Sequence, residues 1–155
     1  MIERILHETG LPPACLDLEI TESAAMHNAE MSLGIMTRLK QMGVRLSIDD
    51  FGTGYSSLAY LKRFPIDTVK IDQHFVRDLT QSASDGEIIA AVISMARALK
   101  LHVVAEGVET EGQLEFLRRH HCETIQGFLY SRPLPADEFE MILARQRSPQ
   151  PQHSL

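Results

Sequence analysis

The sequence has two cysteines, no long apolar run and few basic residues. Cys15 and Cys122 are far apart and lack CxxC spacing, which argues against a structural disulfide or a zinc site and favours a reducing cytoplasm. No segment approaches the ~20 apolar residues that span a bilayer, and the first ten residues lack the charged-then-apolar pattern of a signal peptide. The 15 Lys and Arg against 21 Asp and Glu leave a net charge of -6, which disfavours binding of long DNA or RNA through phosphate contacts.

The length of 155 residues and the 44% content of hydrophobic residues are typical of one soluble globular domain. Strand-like and helix-like patterns alternate along it. Short runs predict five strands: Leu16–Thr21, Arg45–Asp49, Thr68–Asp72, His102–Glu106 and Thr124–Phe128. Helical periodicity, or residues that end a helix, predict helices over Ile2–Glu8, Met31–Met42 (with Gly43 as the C-cap), Tyr55–Phe64, Ile88–Leu99, Leu114–Leu117 and Phe139–Leu143. Residues 146–155 are predicted to form a disordered tail.

Side chains of the predicted strands alternate between an apolar and a polar face. An antiparallel sheet with one solvated face would give this alternation, but the intervening helices favour parallel strands joined by right-handed crossovers. We therefore expect an α/β fold of the (β/α) barrel type, with polar side chains converging at the carboxyl ends of the strands. The residues that meet this condition are Glu19, Asp49, Lys70, Glu106 and Gln126.

Asp49 and Asp50 are adjacent carboxylates at the end of a predicted strand. Neighbouring strand residues face opposite ways, so both reach one site only if Asp50 has already left the strand, which the glycines of the following Phe51–Gly54 would permit. Hard oxygen ligands of this kind favour Mg²⁺ or Mn²⁺. A pair of such ions can bind a phosphodiester, activate a water and stabilise the leaving oxygen.

The polar residues at the predicted strand ends belong to five short motifs. These are Glu19–Ser23 (EITES), Asp49–Leu58 (DDFGTGYSSL), Lys70–Asp72 (KID), Ala105–Glu109 (AEGVE) and Gln126–Phe128 (QGF). Together, and in this order, they resemble the EAL-domain family of bacterial cyclic di-GMP phosphodiesterases, and the resemblance covers about residues 2 to 140. The resemblance implies a modified (β/α)₈ barrel of the TIM type. It also implies hydrolysis of cyclic di-GMP to linear pGpG, with Mg²⁺ or Mn²⁺ in a two-metal site, in signal transduction.

The resemblance implies a role for each matching position. The metal ligands would be Glu19, Asp49, Asp50 and Asp72, with Asp49 shared between two ions and Asp72 alternatively orienting Lys70. Lys70 would hold the attacking water or the developing phosphorane charge, Glu106 would act as a metal-site ligand or base, and Gln126 would assist nearby. Glu22 would anchor the loop Phe51–Ser57, which in the family couples the site to dimerisation, so a homodimer through this loop is expected.

The matching motifs begin late in the family's pattern. In the family, the EAL tripeptide and an asparagine upstream of the EITES-like strand supply two further metal ligands, and neither has a counterpart in this sequence. Five strands are also fewer than the eight of a complete barrel, which typically needs ~250 residues. We therefore expect residues 1–145 to form the C-terminal portion of an EAL domain, an incomplete TIM-like barrel that is weakly active or inactive alone.

Other interpretations remain open. The chain could be a non-catalytic module that binds cyclic di-GMP or regulates another protein, or a structural remnant without a function of its own. Carboxylates at strand ends also serve as helix caps or solvated loop residues. Lys70 could be a structural ion-pair partner of Asp72, since a buried lysine needs such a partner.

Overall fold

The five strands form one parallel sheet. The computed structural model describes residues 1–54, 58–79, 83–122 and 124–147. Within them the strands pair in the order in which they occur along the chain, and every pair is parallel. They are β1 (Asp17–Thr21), β2 (Arg45–Phe51), β3 (Thr68–Ile71), β4 (His102–Glu106) and β5 (Thr124–Gln126). The predicted α/β fold with five parallel strands alternating with helices is thus confirmed.

Helices lie between the strands and at both ends of the described chain. They are α1 (Ile2–Thr9), α2 (Glu22–His27), α3 (Ala29–Gln41), α4 (Leu58–Arg63), α5 (Gln73–Arg77), α6 (Ala83–Ala98), α7 (Glu111–Arg119) and α8 (Ala136–Arg147), with a 3₁₀ turn at Pro13–Cys15. Across the described residues, no helix is both long and apolar enough to cross a membrane. Because all strands run the same way, their carboxyl ends lie at one edge of the sheet, where the site residues were expected.

The two faces of the sheet differ as the alternation predicts. One face of β2, β3 and β4 carries buried apolar residues of the hydrophobic core, among them Leu46, Ile48, Val69, Ile71, Val103 and Ala105. The opposite face carries polar side chains, among them Asp17, Ser47 and Lys70, and borders an open groove of about 620 Å³. One face therefore builds the core, while the other leads to the candidate site.

Several predicted boundaries are wrong by a few residues. Leu16 precedes β1, Asp72 follows β3, and Gly127 and Phe128 lie beyond β5. The C-cap of α3 is Met42, and Gly43 follows it with φ 86°. Of the predicted helix Tyr55–Phe64, α4 covers Leu58–Arg63, while residues 55–57 lie outside the described part. Helix α8 extends through Arg147, two residues into the predicted tail, and residues 148–155 also lie outside the described part.

The sequence patterns missed the short helices α2 and α5. Each begins directly after a strand, at a side chain that accepts a hydrogen bond from a backbone amide: Thr21 from Ala24, and Asp72 from His74. With six and five residues, these helices are too short to produce an apolar periodicity. They matter for the site because they set the positions of the segments that leave β1 and β3.

Candidate active site

Lys70 lies at the centre of the candidate site, on the polar face of β3. Its side chain is only 7% exposed, and its Nζ lies 2.6 Å from Glu19 Oε1, 2.7 Å from Glu106 Oε1 and 3.4 Å from Asp49 Oδ1. Burial lowers the pKa of Lys70, but hydrogen bonds to Glu106 and Glu19 and the charge of Asp49 outweigh it, so the pKa is raised. Lys70 therefore stays protonated. Among the described residues its ion pairs do not include Asp72, so the alternative Lys70–Asp72 pair is not formed.

A bulge in β2 brings Asp49 and Asp50 to the same site. The register between β2 and β3 shifts between Ile48 and Phe51, and Asp50 has φ 53°. The extra residue rotates the strand locally, so two consecutive side chains point the same way. The expectation that Asp50 has already left the strand is therefore wrong, because Asp50 lies within β2 and the bulge reorients it.

Three carboxylates converge next to Lys70. One oxygen atom from each of Asp49, Asp50 and Glu106 lies within 4.8 Å of the other two. Asp49 Oδ1 is buried and accepts no hydrogen bond from the residues described, although Lys70 is near it. Hard oxygen donors, one of them buried without a hydrogen bond, fit a divalent cation such as Mg²⁺, Mn²⁺ or Ca²⁺.

Like charges make this cluster unfavourable when no cation is present. Partial burial, together with the carboxylates of Asp49 and Asp72, raises the pKa of Asp50, and Lys70 only partly opposes that shift. A carboxyl group whose charged form is penalised by its neighbours gains when a cation is bound. The electrostatics of the cluster thus also fit a metal site.

Glu19 and Asp72, the other two predicted ligands, lie outside this three-carboxylate group. Glu19 is 49% exposed and contacts Lys70. Asp72 is buried at the N-terminus of α5, where it accepts a hydrogen bond from the His74 amide at 2.7 Å and lies 2.6 Å from His74 Nδ1. Burial raises the pKa of Asp72, but the hydrogen bonds from His74 outweigh it, so the pKa is lowered. The sequence analysis missed His74, which an Asp N-cap two residues earlier could have signalled.

Glu22 contacts the start of the loop that follows β2. Its side chain is 1% exposed, and its Oε2 accepts a hydrogen bond from the Gly52 amide at 2.7 Å. Glu22 Oε1 is buried and has no hydrogen-bond partner among the described residues. The predicted loop Phe51–Ser57 is described only as far as Gly54, so the contact concerns its first half.

Gln126 lies on β5 beside the carboxylate group. Its register partner is Glu106, and the two residues also border a cavity of about 490 Å³ between the carboxyl ends of the strands and α8. Gln73, the first residue of α5, borders the same cavity. The site residues from β1 to β5 therefore lie at one edge of the sheet, next to space for a ligand.

Comparisons with known proteins agree with this architecture. The family model described as the EAL domain matches residues 1–133. Cyclic di-GMP phosphodiesterase NbdA of Pseudomonas aeruginosa is 51% identical over 146 residues, which are 94% of this chain and 19% of that protein. The structure of the PaMucR phosphodiesterase in complex with c-di-GMP is 50% identical and has a TM-score of 0.87, covering 89% of this chain and 56% of that one.

A further solved structure contains a metal ion. Klebsiella pneumoniae BlrP1, in a complex with manganese and cyclic di-GMP at pH 9.0, is 37% identical with a TM-score of 0.79, over 85% of this chain and 34% of that one. The chain spans about a fifth of the length of the curated relatives that it matches first.

Proposed function

The chain belongs to the EAL-domain family, and on this basis we propose that it carries part of a metal-dependent site that hydrolyses cyclic di-GMP to linear pGpG. The observation that carries the proposal is the group formed by Asp49, Asp50 and Glu106 around the ammonium group of Lys70. The solved complexes of PaMucR and BlrP1 with cyclic di-GMP support the choice of substrate.

The residues present suit the needs of phosphodiester hydrolysis. Asp49, Asp50 and Glu106 would hold the divalent cation, Mg²⁺ or Mn²⁺, with Glu19 and Asp72 as further ligands. When bound, such an ion lowers the pKa of a coordinated water and offsets phosphate charge. Lys70, which stays protonated, would donate hydrogen bonds to a phosphate oxygen and stabilise its developing negative charge.

Two residues would act on the water and the substrate. Glu106 lies beside Asp49 and Asp50, and as the alternative to its role as a metal ligand it would accept a proton from the attacking water. Gln126 would hold the substrate with its amide group from the neighbouring strand. Glu22 would keep the loop after β2 in place through Gly52.

We further propose that turnover by this chain alone is slow. The polar face of its sheet borders an open groove, and Glu19 is half exposed, so water screens the charges that would act on the substrate. A non-catalytic module that binds cyclic di-GMP is the second candidate, because binding needs fewer precisely placed groups than catalysis does. The homodimer through Phe51–Ser57 and the cytoplasmic location stay predictions.

The test is turnover of cyclic di-GMP by the purified chain with Mn²⁺ or Mg²⁺, measured as linear pGpG. We expect slow, chelator-sensitive product formation that Asp49→Asn reduces at least about 100-fold, the scale of a lost electrostatic or metal contact. Asp78→Asn, which removes an exposed carboxylate at the end of α5, is the matched control and should leave the rate unchanged.

The alternatives give different results. Metal-dependent binding of cyclic di-GMP without product supports the binding module. Product formation that survives chelation, or that Asp49→Asn leaves unchanged, contradicts the proposed site. Absence of both binding and product contradicts both candidate functions.

A further inference from the structure

Gly52, two residues after Asp50, is held between two side chains from different elements. On one side its amide donates a hydrogen bond to Glu22 Oε2 of α2. On the other side it lies against the ring of Phe75 from α5: a Cβ atom added to Gly52 would be 2.8 Å from Cε2 and 3.2 Å from Cζ of that ring. Gly52 also has φ 99°, so only glycine fits this position without strain.

The turn that contains Gly52 closes on Asp50. The Thr53 hydroxyl donates a hydrogen bond to the Asp50 carbonyl at 2.8 Å, and the Thr53 amide donates to the same oxygen at 3.3 Å. Asp50 itself has a left-handed backbone, which costs a residue other than glycine free energy and persists only where the surroundings hold it. The turn at Gly52 is therefore tied directly to the strained backbone of Asp50.

Phe75 is suited to hold this turn because both its ring and its backbone contact other parts of the molecule. Its ring is half buried and packs against the core cluster that contains Ile71 and Val76. Its backbone amide donates a hydrogen bond to the carbonyl of Asp72, at the start of α5. The ring thus links the end of β3, which carries Lys70, to the turn after β2.

We propose that Phe75 is a positioning residue for the metal site: its ring holds Gly52, and through Gly52 keeps the Asp50 carboxylate directed toward Asp49 and Glu106. This inference rests on the proposed function only in taking those carboxylates as the metal ligands. Repulsion among the carboxylates would move the turn outward if the ring were absent. Without the ring, the hydrogen bond to Glu22 would hold Gly52 from one side only, and we take the ring contact on the other side to be needed as well.

The first test compares Mn²⁺ binding to the metal-free chain and its variants, followed by electron paramagnetic resonance. Phe75→Ala is expected to weaken Mn²⁺ binding about tenfold, as loss of a group that orients a metal ligand typically does. Phe75→Leu, which keeps an apolar side chain in place, should recover most of the affinity.

The matched control is Phe116→Ala. The Phe116 ring on α7 also packs closely against a glycine, since a Cβ on Gly86 would be 3.2 Å from it, but it lies outside the candidate site. Both alanine variants lose a half-buried ring and should lose similar thermal stability. Only Phe75→Ala should lose Mn²⁺ affinity, and equal affinities for the two variants would overturn the proposal.

A second measurement does not depend on metal. Hydrogen exchange of the Gly52 and Thr53 amides should be at least about tenfold faster in Phe75→Ala than in the unsubstituted chain, since a locally released turn opens at low free-energy cost. Phe116→Ala should leave these amides unchanged. If the unsubstituted chain takes up no Mn²⁺, the proposed function fails. Hydrogen exchange at Gly52 and Thr53 still decides whether Phe75 positions the turn. Unchanged exchange in Phe75→Ala contradicts that role of Phe75.

Discussion

At the scale of single residues, Asp50 combines backbone strain with charge repulsion. It has a left-handed backbone, and its carboxylate lies near those of Asp49 and Glu106. Strained residues of this kind concentrate at functional sites, where the surrounding structure holds them in place. We therefore expect Asp50 to lower the stability of the metal-free chain, a cost that the proposed metal site would offset when a cation is bound.

Asp50→Asn should stabilise the metal-free chain. Asparagine tolerates the same backbone conformation, and the change removes one negative charge from the cluster. Because the Asp50 carboxylate is partly solvated, we expect the free energy of unfolding to rise by about 0.5–1 kcal/mol. The Tm at pH 7, measured by thermal unfolding, should rise by about 2 °C. Asp78→Asn should shift Tm by less, since Asp78 is exposed outside the cluster.

The stabilisation should depend on pH in a defined direction. The pKa of Asp50 is raised in the folded chain above the ordinary 3.8, so the folded state holds its proton to higher pH than the unfolded state does. The stability of the unsubstituted chain relative to Asp50→Asn therefore falls as pH rises from about 3.8 through the folded-state pKa. A Tm of Asp50→Asn at or below that of the unsubstituted chain at pH 7 would contradict this interpretation.

At the scale of secondary-structure elements, Gln113 joins the start of α7 to the end of α5. Its Oε1 accepts hydrogen bonds from the amides of Glu109 at 2.8 Å and Thr110 at 3.0 Å, while its Nε2 donates to the Val76 carbonyl at 3.0 Å. Thr110 completes a capping box by accepting from the Gln113 amide. These bonds hold the segment that immediately follows Glu106.

Gln113→Ala should destabilise the chain by about 2–3 kcal/mol, because it leaves the buried Val76 carbonyl and two amides without their partner. Thr110→Ala, which removes only the cap, should cost about 1 kcal/mol. Urea unfolding measures both values. Glu115→Ala, an exposed change on the same helix, is the control and should change the free energy of unfolding by no more than about 0.5 kcal/mol. If Gln113→Ala costs as little as Glu115→Ala, the hydrogen bonds of Gln113 contribute little to stability.

The elements that the sequence predicted correctly are those with a repeating pattern. Alternation in Arg45–Asp49 and His102–Glu106 indicated strands with a polar face, and both strands are observed there. The bulge at Asp50 has no such signal, because it depends on the register with β3. The contact between Gly52 and Phe75 joins distant parts of the chain, so local patterns could not predict it.

The first residues of the helices after β1 and β3 could have been predicted from the sequence. Thr21 and Asp72 are residue types favoured at N-caps, and both accept the expected backbone hydrogen bond. Their positions at the ends of apolar runs instead suggested that the strands continued. Capping residues at a strand end thus indicate a change of element as well as a chemical role.

At the scale of the whole molecule, the parallel sheet explains how distant residues form one site. Glu19, Asp49, Lys70, Glu106 and Gln126 come from five different strands, and the common strand direction brings them to the same edge. With a net charge of -6, the molecule as a whole repels a phosphodiester. In the proposed function, Lys70 and a bound cation would offset the charge of the phosphodiester at this edge.

The most direct test of the metal site is anomalous diffraction from crystals of the chain grown with Mn²⁺ and cyclic di-GMP. The proposed site predicts a manganese peak bonded to carboxylate oxygens of Asp49, Asp50 and Glu106, with a phosphate of cyclic di-GMP beside it and Lys70 facing that phosphate. A peak that is absent at saturating Mn²⁺, or that lies away from these three carboxylates, would contradict the proposed site.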